Sequence, residues 1–95
     1  MPHYTPPLRD MRFVMHELLH AVDELKTLPA HADLDIDTVN AVLEEGAKFA
    51  AEVLAPINQS GDAEGCTLDP ATHEVRAPKG FKEAYATYVA GGWPA

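Results

Sequence analysis

Apolar residues recur at alternating steps of three and four in two long segments of the chain, and no other feature of the sequence limits the fold as strongly. The first series consists of Leu8, Met11, Met15, Leu18, Val22 and Leu25. The second series consists of Ile36, Val39, Leu43, Gly46, Ala50, Val53 and Ile57. Because an α-helix has about 3.6 residues per turn, each series lies along one face of a helix. We therefore predict two helices that pack as an antiparallel hairpin.

The first helix is predicted from about residue 8 to 26, with its apolar series turned toward the second helix. Arg12, His16 and His20 are then expected mainly on the opposite, solvent-exposed face. Residues 27–35 have no periodicity and include Pro29, which predicts a loop that reverses the chain.

The second helix is predicted from about residue 36, after a capping aspartate. Asp35 or Asp37 can fill this position, because a short carboxylate accepts a hydrogen bond from the unpaired amides of a helix N-terminus. Gly46 lowers helix propensity by about 1 kcal/mol relative to alanine, so we expect it to allow a bulky residue of the first helix to approach closely. Pro56 either ends the second helix near Leu54 or kinks it, and the helix is expected to end by about residue 60.

The remaining residues predict a short connection and a third helix. Residues 65–68 and 73–77 flank a turn at 69–72 and could form a short, irregular hairpin. Pro78 then opens an amphipathic segment that Gly91 and Gly92 end. The fold class predicted is all-α: an antiparallel helical hairpin plus a third helix, joined by a short irregular or hairpin-like connection. The shared face of the third helix carries Phe81, Tyr85, Tyr88 and Val89.

Charge and composition exclude several classes of partner. The chain has 7 Lys+Arg against 15 Asp+Glu and a net charge of −8, so it repels nucleic acid and anionic membrane surfaces. Its 95 residues fit one small domain, and its 46% hydrophobic residues predict a folded one. Cys66 is the only cysteine, and we find no secretory signal or apolar run long enough for a membrane span. These features predict a cytoplasmic location.

The residues His16-Glu17-Leu18-Leu19-His20 spell H-E-x-x-H, a pattern in which two imidazoles one helical turn apart bind zinc and the glutamate acts as base. No supporting motif supplies a third ligand, and both histidines are expected on the polar side of the first helix. A solvated helical face is therefore the favoured interpretation, with a zinc site at His16 and His20 as a remote alternative. The sequence assigns no residue to catalysis, to cofactor binding or to a metal.

Three blocks of sequence together resemble the N-terminal end of an acyl-CoA dehydrogenase. They are YTPPLRDMRFV at residues 4–14, LAPINQSGD at residues 54–62, and residues 75–93, which close on YVAGGW. The blocks occur in the family's order and span almost the whole chain. The likeness is to the longer branch of the family, which includes enzymes similar to 3-methylmercaptopropionyl-CoA dehydrogenase. It implies that residues 1–95 form one N-terminal helical segment, without the flavin-binding β domain and the C-terminal helical bundle.

The resemblance also implies an activity for the full-length protein. A complete member of the family dehydrogenates an acyl-CoA thioester between the α and β carbons: a glutamate removes a proton, FAD accepts a hydride, and an electron-transfer flavoprotein receives the electrons. The catalytic glutamate and the flavin-contacting strands lie downstream of the Gly-Gly-Trp block. Glu17, Glu44 and Glu52 are therefore not candidates for that role, and the 95-residue chain alone is expected to be catalytically silent.

Two expectations concern partners. The apolar face of the third helix and Trp93 would be covered by the remainder of the same polypeptide or by another copy, so the isolated chain is expected to self-associate. A second class of function remains open from the sequence: a stand-alone, acidic, helical module for protein interaction, suggested by the net charge and the short length.

Overall fold

The computed structural model describes residues 3–95, which are mostly helical with one two-stranded sheet. The chain divides into two compact units, one that ends at Ala50 and one from Ala51 to Ala95, and each is described by itself. The helical fold class is therefore confirmed. Among the described residues, none of the helices is both long and apolar enough to cross a bilayer.

In the first unit, the segment predicted as one helix from residue 8 to 26 consists of three pieces. α1 spans Leu8–Arg12 and continues as a π-helical turn, Phe13–Leu18, and α2 spans Ala21–Leu25. The break lies at His20, whose φ of 49° and ψ of 44° place it in the left-handed region. A right-handed helix cannot pass through a residue in that conformation. The prediction of a continuous helix was therefore wrong.

The second long helix of the first unit is α3, Ile36–Phe49, which follows a single 3₁₀ turn at Pro29–His31. Asp35 is its N-cap: the carboxylate accepts a hydrogen bond of 2.7 Å from the backbone N–H of Thr38. Of the two capping residues that the sequence allowed, the structure selects Asp35. The predicted closeness of Gly46 to a residue of the first helix stays a prediction.

α1 with its π-helical turn runs antiparallel to α3. The side chain of Arg12 contacts Glu44, and that of His16 contacts Asn40, so one turn forward on the first segment corresponds to one turn back on α3. The predicted antiparallel hairpin is confirmed by these two contacts.

The second unit begins within another π-helical turn, Ala50–Leu54, which is followed by α4, Ala55–Glu64. Pro56 lies in the first turn of α4, where a backbone N–H has no partner within the helix, so the missing N–H of proline costs no hydrogen bond. The helix consequently neither stops near Leu54 nor ends by residue 60, and the predicted end was wrong by one turn.

The predicted irregular hairpin is present after α4. β1, Thr67–Leu68, pairs antiparallel with β2, Val75–Arg76, in a register that places Leu68 opposite Val75. The Asp69 carboxylate accepts hydrogen bonds from the backbone N–H groups of Ala71 and Thr72 and so closes the turn. α5 spans Phe81–Ala90 and is followed by the two glycines, as predicted.

Close packing joins α4 to the start of α5. A Cβ added at Gly61 would lie 2.5 Å from Cε1 of Phe81, so the aromatic ring occupies the space that only glycine leaves. Ile57 packs against Gly80 in the same way, and the carboxylate of Glu64 accepts a 2.9 Å hydrogen bond from the backbone N–H of Lys79. Three consecutive features of α4 thus hold the N-terminal end of α5.

Candidate functional site

The two histidines of the H-E-x-x-H sequence do not share a helix face. His16 lies in the π-helical turn and is half-buried. His20 is exposed, and it is the residue in left-handed conformation that precedes α2. Glu17 is exposed. Within residues 3–95 no group of three or more His, Cys, Asp and Glu side chains is arranged to hold a metal ion.

His16 belongs instead to a polar cluster between the first helical segment and α3, which we call the polar clamp. Its members are Arg12, His16, Asn40 and Glu44. The guanidinium of Arg12 donates to Oε1 of Glu44 at 2.6 Å, and Nε2 of His16 lies 2.8 Å from Oδ1 of Asn40. The prediction that Arg12 and His16 lie on the solvent-exposed face was therefore wrong. Both side chains contact α3.

Two nitrogen atoms of the polar clamp remain unsatisfied. Nε of Arg12 and Nδ1 of His16 are buried and have no hydrogen-bond partner among the described residues. Buried polar atoms without partners lower stability. The clamp therefore orients two helices without saturating its own hydrogen-bonding capacity.

An open depression lies beside the clamp. Its wall combines two cations, two anions, one imidazole and one aromatic ring, contributed by Arg9, Asp10, Arg12, Phe13, His16 and Glu17. Cofactor sites are typically enclosed and mainly apolar, with a few convergent polar groups. The depression is open to solvent and therefore lacks the enclosure that is typical of such sites.

Among the described residues, Asp35 at a helix N-cap and Asp69 in the hairpin turn have a clearly displaced pKa. Hydrogen bonds from the backbone N–H and the side chain of Thr38 lower the pKa of Asp35, and hydrogen bonds from the backbone N–H groups of Ala71 and Thr72 lower the pKa of Asp69. Such bonds favour the charged carboxylate. Both aspartates therefore stabilise local backbone structure and do not resemble an acid–base pair.

Comparison with known proteins decides the relationship of the chain. It is 34% identical over 90 residues to 3-methylmercaptopropionyl-CoA dehydrogenase of Ruegeria pomeroyi and 32% identical over 93 residues to a broad-specificity linear acyl-CoA dehydrogenase of Mycobacterium tuberculosis. It is also 33% identical over 91 residues to butyryl-CoA dehydrogenase of Syntrophomonas wolfei. The chain is an N-terminal segment of the acyl-CoA dehydrogenase family. No protein-family model matches it.

The similarities cover a much larger share of this chain than of each relative. The alignments cover 94–98% of this chain but only 15% of each acyl-CoA dehydrogenase. The resemblance inferred from the three sequence blocks is thereby confirmed over nearly the whole chain.

The polar clamp is the feature that sequence reasoning missed. A signal for it exists in the sequence: Arg12 and His16 are four residues apart, and so are Asn40 and Glu44, so each pair occupies one face of a helix. Two such polar pairs can meet when the helices run antiparallel. The apolar series of each helix, however, predicts that the helices meet through the faces opposite to these polar pairs.

Proposed function

We propose that this chain is part of a longer polypeptide that dehydrogenates acyl-CoA thioesters between the α and β carbons. The observation that carries the proposal is that three relatives, at 32–34% identity to nearly all of this chain, are acyl-CoA dehydrogenases. Because the resemblance places the flavin-contacting strands downstream of the Gly-Gly-Trp block, FAD would be held by the part of the polypeptide outside residues 1–95.

Within that polypeptide, residues 1–95 act as one helical N-terminal segment whose contribution is structural. Two observations support this role. Glu44 is paired with Arg12, and Glu64 accepts a hydrogen bond from Lys79, while Glu17 and Glu52 are exposed to solvent. A general base in such a reaction works in an enclosed site that excludes water, and none of these glutamates lies in one.

The finer expectations belong to the same proposal. They are an electron-transfer flavoprotein as acceptor of the electrons, a place in fatty acid metabolism, and a location in the cytoplasm. All three follow from family resemblance or from the sequence and stay predictions.

The test is to express the complete reading frame that contains this chain and to record its visible spectrum. We expect bound flavin whose absorbance is bleached by butyryl-CoA, by longer linear acyl-CoA thioesters or by 3-methylmercaptopropionyl-CoA. The isolated 95-residue chain serves as the control and should bind no flavin. A complete protein that purifies without flavin and leaves all these thioesters unchanged would contradict the proposal.

A further inference from the structure

We draw no further inference here: the strongest candidate, the open depression beside the polar clamp, carries none, because its two arginines share the wall with two acidic side chains and so favour neither an anionic nor a cationic ligand, while the unpartnered nitrogen atoms of Arg12 and His16 are shielded from solvent.

Discussion

The helices inside the first unit and the helices inside the second unit are held together by different kinds of contact. In the first unit, α1 and its π-helical turn meet α3 through the polar clamp, whose hydrogen bonds are 2.6 and 2.8 Å long. In the second unit, α4 and α5 meet where glycine leaves room for a larger side chain, Gly61 for Phe81 and Gly80 for Ile57. The first contact includes polar pairing, and the second depends on shape.

The difference predicts where each unit is sensitive to substitution. Polar pairs that are partly exposed contribute little individually, because water competes for the same groups. A close approach to glycine tolerates no additional atom, because packed side chains must move to make room. The steric contact of the second unit should therefore give the largest effect of a single substitution, and the ion pair of the first unit the smallest.

The largest effect is expected from Gly61→Ala. In an open helix this substitution stabilises by about 1 kcal/mol, but here the new methyl group collides with the ring of Phe81 and we expect a net destabilisation of about 1–2 kcal/mol. In a Phe81→Ala background the collision is absent, and the same substitution should stabilise. Amide hydrogen exchange of α4 measures both. A destabilising Gly61→Ala in the Phe81→Ala background would show that packing against the ring is not the cause.

The next effect is expected from Asn40→Ala in the polar clamp. Loss of the amide leaves Nε2 of His16 half-buried without its partner, which should lower the stability of the first unit by about 1 kcal/mol. The matched control is Asn58→Ala, an exposed residue of α4, with an expected change within about 0.5 kcal/mol. Exchange rates of the amides of α3 provide the measurement. Equal effects of the two substitutions would remove the distinction between clamp and surface.

A pH-dependent effect is expected at the N-terminus of α3. The pKa of Asp35 lies below its ordinary value of 3.8 because the charged carboxylate accepts hydrogen bonds from Thr38. A lowered pKa stabilises the folded state at pH values above the ordinary pKa. This contribution is lost as the pH falls through the lowered pKa. Circular dichroism from about pH 5 to about pH 2 should show a weaker acid loss of helix in Asp35→Asn, which keeps a capping oxygen without the charge. Asp33→Asn, in the preceding loop, should behave like the unsubstituted chain.

The smallest effect is expected from Glu44→Gln. The ion pair with Arg12 is partly exposed, so we expect a loss of about 0.5 kcal/mol or less, and the loss should shrink further in high salt. The control is Glu45→Gln, because Glu45 makes no ion pair within the described residues. A salt-independent loss above about 1 kcal/mol would indicate that this pair is far better shielded from water than its exposure implies.

The sequence allowed much of the candidate site to be located but not to be oriented. The pattern of residues 16–20 drew attention to His16 because of a zinc-binding spacing, whereas its observed role is a hydrogen bond to Asn40. The spacing assumed an α-helix, in which residues four apart share a face. The π-helical turn and the left-handed conformation of His20 make that assumption wrong. The local helix propensities predict neither of them.

What the sequence determined by itself was the set of local structures and the family. The apolar spacing predicted the helices, a short carboxylate predicted the cap of α3, and three ordered blocks identified the acyl-CoA dehydrogenase family. These features depend on neighbouring residues or on direct similarity. Only the tertiary structure decided that Arg12 and His16 contact Glu44 and Asn40 of α3. These contacts join residues far apart in the sequence, which local periodicity does not encode.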